Sequence, residues 1–171
     1  MRHLARSGFT ALTIALCALG AAAPARAATA VAAVSASTAK PLTLARVQDL
    51  DLGTILLAPG TWSGATVGIS RAGVFTCTNA NLACTGATRT AIYNVTGTNN
   101  MVVRITAPNV TLVNQSDTTK TLTLVVDSIA SLTLTNSGAP GSNFNVGGTI
   151  TVSSTTTAGL YTGTFNVTVD Y

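Results

Sequence analysis

The segment from Tyr161 to Tyr171 alternates without interruption. Tyr161, Gly163, Phe165, Val167, Val169 and Tyr171 take the odd positions, while Thr162, Thr164, Asn166, Thr168 and Asp170 take the even ones. Successive side chains of a β-strand point to opposite faces, so this order predicts a strand with one face in a core and the other in solvent. The same period recurs at Ala65, Val67 and Ile69, at Tyr93 and Val95, and at Met101, Val103 and Ile105. It continues at Leu122, Leu124 and Val126, at Leu132 and Leu134, and from Phe144 through Val146, Gly148 and Ile150 to Val152. Thr, Val and Ile fill these runs, and β-branched side chains suit a pleated surface. Gly, Asn, Ser and Pro clusters separate them. Strands at such spacing with turn signals between them predict an all-β fold, a single antiparallel β-sandwich of Ig-like or pilin-like kind over residues 40–171.

The first residues follow a different logic. Arg2, His3 and Arg6 give a positive start, the run from Gly8 to Ala23 is uncharged and mostly apolar, and Pro24-Ala25-Arg26-Ala27 follows. Small residues at Ala25 and Ala27 suit a signal peptidase, so residues 1–27 read as a cleaved signal peptide and the protein as exported to the periplasm, the cell surface or the medium. The apolar run is shorter than the roughly 20 residues of a spanning helix, and no later segment is long enough, so no membrane span is expected in the mature chain. Cleavage removes Cys17 and leaves Cys77 and Cys84, which in an oxidising compartment predict a disulfide that staples a hairpin or loop. Residues 28–39 are small, uncharged and low in complexity, with Val31 and Val34 the largest side chains. They read as a flexible N-terminal extension or as a donor segment given to another subunit.

Charge and residue inventory narrow the function. The chain has nine Lys and Arg against five acidic residues, but Arg2, Arg6 and Arg26 lie in the leader. The remaining near-balance is no footprint for a phosphate backbone, so no nucleic-acid partner is expected. All five acidic residues are Asp, and the one histidine is His3. A mature chain without His or Glu has no group poised near neutrality for acid–base work, which argues against an enzyme. Asp49 and Asp51 would share one strand face, yet Ca²⁺ wants six or more oxygens, so neither a metal nor another cofactor is expected. Gly147-Gly148 reads as a bulge or close-packing point within a strand. Trp62, Tyr93 and the Asn99-Asn100 turn are the places where a sugar would be sought.

Two segments carry a resemblance. Pro41-Leu42-Thr43-Leu44 with Asp49-Leu50-Asp51-Leu52-Gly53-Thr54-Ile55 opens the domain, and Phe144-x-Val146-Gly147-Gly148-Thr149-Ile150-Thr151-Val152 and Ala158-Gly159-Leu160-Tyr161-Thr162-Gly163-Thr164-Phe165 close it. Together they resemble the domain of unknown function 4402 family of small exported bacterial proteins. The last strand is also similar to that of chaperone–usher pilins, with Gly159 twelve residues before Tyr171. The pilin resemblance implies a periplasmic chaperone and an usher as partners and self-assembly through strand exchange. Gly159, Tyr161, Phe165, Val167, Val169 and Tyr171 would then form the strand-pairing interface. Physical chemistry points the same way, because the Tyr161–Tyr171 stretch carries no Lys, Arg or Pro to discourage edge pairing. Two readings follow: a structural subunit of a surface fimbria or similar assembly, or a monomeric exported binding module for carbohydrate.

Overall fold

A computed structural model describes residues 27–171. The signal-peptide reading of residues 1–27 therefore falls, Ala27 apart, outside the described residues. Residues 28–39 form no strand and are exposed throughout, Val31 and Val34 almost completely so.

From Thr43 onward the chain forms thirteen strands, and no described residue is helical. They are β1 (Thr43–Gln48), β2 (Thr54–Leu57), β3 (Ala65–Ile69), β4 (Phe75–Thr76), β5 (Leu82–Thr85) and β6 (Ala91–Thr96). The chain continues with β7 (Val102–Thr106), β8 (Val110–Asn114), β9 (Thr121–Asp127) and β10 (Ser131–Thr133). It ends with β11 (Ser142–Val152), β12 (Tyr161–Thr162) and β13 (Thr168–Asp170). The main sheet runs β1-β6-β11-β9-β8-β12, with β3 also paired to β11 and β4 to β3. A three-stranded sheet runs β10-β7-β13, and β2 and β5 pair separately. Every strand pairing is antiparallel, and the sheets pack face to face as a β-sandwich.

Alternation decides which side chains meet. In β6 the odd residues Ala91, Tyr93 and Val95 are buried, and in β7 Val103 and Ile105 are. With Leu134, Phe144 and Val146 they make one core, closed by Leu42 just before β1, by Leu44 within it and by Val169 of the last strand. Tyr93 stacks on Phe144 at 5.7 Å between ring centroids. A second core forms around Val67, Leu124, Ile150 and Val152, covered by Ile55 and Leu57 of β2, by Trp62 and by the two cysteines. The long strand β11 serves both. It pairs with β6 through Ser142–Val146 and with β3 through Gly148–Val152, changing neighbour at the Gly147-Gly148 step. A Cβ at Gly147 would run into the Ile69 carbonyl, and one at Gly148 would lie 2.8 Å from Leu124 Cδ1. The pair is the close-packing point that its composition predicts.

Cys77 and Cys84 are joined. Cys77 follows β4 at the rim of the main sheet and Cys84 lies in β5, so the bridge ties the two-stranded sheet to the main one across the second core.

Candidate functional site

The C-terminal ribbon corrects one expectation. The unbroken alternation predicts one strand over Tyr161–Tyr171, whereas β12 pairs with β8 and β13 with β7, in two different sheets. The reason lies in the partner. Antiparallel neighbours that face each other point to the same side of the sheet. β7 turns odd residues inward (Val103, Ile105), but β8 turns even ones inward, with Asn114 fully buried. The ribbon keeps Tyr161, Phe165, Val167 and Val169 half-buried and the even residues exposed. It therefore matches both partners only by slipping one residue: Tyr161 faces Asn114 in one half, Val169 faces Ile105 in the other. The slip falls between the Thr162–Val113 and Thr168–Thr106 pairs, a stretch whose partner side includes Pro108, which has no N–H to give a ladder. Gly163 fits this bend because a Cβ there would lie 2.8 Å from Leu112 Cδ2 and 2.9 Å from the Thr111 carbonyl. Phe165, at its middle, packs against both cores and meets the Tyr93 ring edge-on at 6.4 Å.

Both ends of the ribbon are pinned. At the start, Gly159 has φ +147°, and a Cβ would come within 2.5 Å of the Asn114 amide. Asn114 itself donates to the Ala158 carbonyl (3.2 Å) and accepts the Ser116 N–H (2.8 Å), holding two turns with one buried side chain. Tyr161 adds a hydrogen bond from its hydroxyl to the Thr157 carbonyl (2.8 Å). Gly159 is thus a turn and packing residue two places before β12. At the other end the Tyr171 hydroxyl accepts the Thr98 N–H (2.7 Å) and donates to the Lys40 carbonyl (2.7 Å). The Lys40 N–H reaches Thr98 Oγ1 (2.6 Å). Gly97 makes room, since a Cβ there would lie 2.6 Å from that hydroxyl. The last residue of the ribbon is latched to the entry of the first strand.

The ribbon's outer flank is free. β12 ends the main sheet and β13 ends the three-stranded one, and among the described residues no strand pairs with the far side of either. Other edges are defended differently. At β1 the inward row, Leu42 just before the strand and Leu44 within it, ends in Arg46, which faces Tyr93 in the ladder. The register then shifts between Arg46 and Gln48, leaving Val47 61% exposed. An inward-parity charge and a bulge both discourage a new strand. β10 has three residues, and β2 and β5 have four each. The ribbon's own strands are as short, two residues in β12 and three in β13, but it carries no inward-parity charge, and its one charge is Asp170, opposite Arg104.

The other candidate residues have local employment. Asp49 pairs with Arg46 (2.7 Å), and Asp51 accepts the Gly53 N–H (2.8 Å), so the two carboxylates do not converge on one point. With Val47, Gln48 and Arg89 they line an open cleft of about 410 Å³. Trp62 donates its indole N–H to the Ala58 carbonyl (3.1 Å) and packs on the second core. Tyr93 is 9% exposed; burial pushes its hydroxyl above the usual tyrosine range, Arg46 partly offsetting this and Asp49 adding to it. Asn100, with φ 60°, forms the β6–β7 turn and donates its N–H to the Leu134 carbonyl (2.8 Å). Three elements escape sequence reasoning: the Lys40–Thr98–Tyr171 latch and the Asn114 clamp at the ribbon, and the guard at Arg46 on β1. Only the last leaves a signal, a charged residue at the third place of an apolar alternation.

The family model described as Domain of unknown function (DUF4402) matches residues 42–171. No curated protein and no solved structure matches the chain.

Proposed function

This chain belongs to the DUF4402 family, and from that premise we propose that it is an exported, non-catalytic structural subunit of a bacterial surface fimbria or similar assembly, joined by β-strand addition at the C-terminal ribbon. The observation that carries the reading is the contrast between edges. A row of unpaired N–H and C=O groups is a template for another chain, and soluble proteins guard such rows. Here the guarded edge is β1, with Arg46 and the Val47 bulge, while the ribbon from Tyr161 to Tyr171 carries no Lys, Arg or Pro and no partner on its outer flank among the described residues. Main-chain hydrogen bonds supply the affinity of an added strand, and alternate side chains supply its register. During export a periplasmic chaperone would cover the flank first, an usher would receive the subunit, and a neighbouring subunit would replace the chaperone.

The test is the assembly state of the exported protein. Strand-paired polymers give a ladder on denaturing gels that collapses only on boiling, because unfolding each subunit is the route to releasing its partner. A single sharp monomer at every concentration and a gel band indifferent to heating would refute the reading.

A further inference from the structure

We propose that Asn166 is the attachment site of an N-linked glycan, added once the domain has folded; this rests on the export in the reading above. Four segments carry the acceptor pattern of Asn, any residue but Pro, then Ser or Thr: Asn94-Val95-Thr96, Asn109-Val110-Thr111, Asn114-Gln115-Ser116 and Asn166-Val167-Thr168. In a chain so rich in Asn and Thr the pattern alone selects none of them. Transfer also needs an amide nitrogen free of other bonds and a backbone that an enzyme can seat, so acceptors lie on exposed loops of exported proteins. The fold meets those needs unequally.

Asn94 lies within β6, laddered to Ala45 on one side and to Asn143 on the other. Its Nδ2 donates to the Pro140 carbonyl (3.0 Å) and to Asn143 Oδ1 (2.6 Å). Asn114 is fully buried, and its amide is committed to the Ala158 carbonyl. Asn109 is exposed, but its Oδ1 accepts the Val126 N–H (2.9 Å) and Thr111 is laddered to Thr123. Asn166 differs from all three. It stands in residues 163–167, which form no strand between β12 and β13, and among the described residues its side chain makes no hydrogen bond. Phe165 and Val167 on either side pack against the first core. Thr164, Asn166 and Thr168 are left exposed together.

The reaction is a group transfer without oxidation or reduction. Asn166 Nδ2 forms a bond to the anomeric carbon of a sugar carried on a polyprenyl diphosphate, and the anomeric C–O bond breaks. The diphosphate leaves with the electron pair, and the amide gives its proton to a base of the transferase. Thr168 is a positioning residue, its hydroxyl offered to the enzyme two places on. Side chains of an extended segment leave across its hydrogen-bonding row, so the glycan would stand off the solvent face and leave the outer flank open to an added strand.

The experiment is a peptide map of the protein isolated from the periplasm and medium of the cells that make it. Trypsin, cutting after Arg89, Arg104 and Lys120, puts Asn94, the Asn109 and Asn114 pair, and Asn166 on three different peptides. The expected result is a glycan mass on the peptide of residues 121–171 alone, lost in Asn166→Gln and Thr168→Ala and kept in Thr168→Ser. Exported protein with that peptide at its unmodified mass, or a mass shift that survives Asn166→Gln, overturns the inference and leaves the export reading standing. Glycan on either of the other two peptides overturns the choice of Asn166 by the folded surface. A chain that stays inside the cell with residues 1–27 attached sinks the export reading and this inference with it.

Discussion

Replacing Tyr171 by Phe keeps the ring and deletes one oxygen, which isolates the latch from packing. That oxygen accepts the Thr98 N–H and donates to the Lys40 carbonyl, each at 2.7 Å. A typical intramolecular hydrogen bond contributes about 0.5–1.5 kcal/mol net, and an unsatisfied buried partner costs more. Thr98 is half-buried and Lys40 exposed, so water replaces part of what is lost. The expected destabilisation is about 1–2 kcal/mol, low in the range that two bonds would allow. At a domain of this size it lowers the unfolding midpoint by roughly 3–8 °C. The effect should also be local: β13 holds β7 through three residues, and without its terminal tie it frays. Urea unfolding with an unchanged slope gives the first quantity, and amide exchange at Val169 and Asp170 relative to Val103 gives the second. A midpoint within experimental scatter of the parent, with Val169 as protected as before, would show that the hydroxyl pins nothing.

Two further outcomes follow from the cores. Reducing the Cys77–Cys84 bridge, or replacing both cysteines by Ser, should cost about 2–3 kcal/mol for so short a loop. Exchange should then rise in β2 and β5 while β6 and β7 stay protected, read by peptide-level mass spectrometry. The Tyr93 hydroxyl is held above its ordinary value of 10.0 mainly by burial. Its folded form keeps a proton that the unfolded chain gives up, so the stability present below pH 10 is lost as pH rises from there through the folded value. In Tyr93→Phe this alkaline component of the fall is absent, and urea midpoints across that window measure it.

The strands were legible because a single physical rule, alternation about a buried face, is written directly in residue order. Ala65–Ile69, Tyr93–Val95, Leu122–Val126 and Phe144–Val152 all bury the parity that their spelling predicts. Met101 does not: it stands just outside β7, 39% exposed, because the Asn99-Asn100 turn ends one residue later than the apolar pattern suggests. Trp62 and Tyr93 illustrate a second limit. An aromatic that could stack on a sugar and one that fills a core look alike in sequence, and only the indole hydrogen bond to Ala58 and the Tyr93–Phe144 stack separate them. The latch was beyond reach for a different reason. It joins Lys40 to Tyr171 across 131 residues, and such a contact depends on which sheet each strand enters.

That dependence also explains why the ribbon bends. Its own odd-in alternation never changes, so nothing within Tyr161–Tyr171 marks the crossing between sheets. The mark is in the partner, where inward parity passes from odd in β7 to even in β8 across Pro108. A ribbon of constant parity beside a partner of changing parity must slip by one residue, and it does so between Thr162 and Thr168, beside the stretch that holds Pro108.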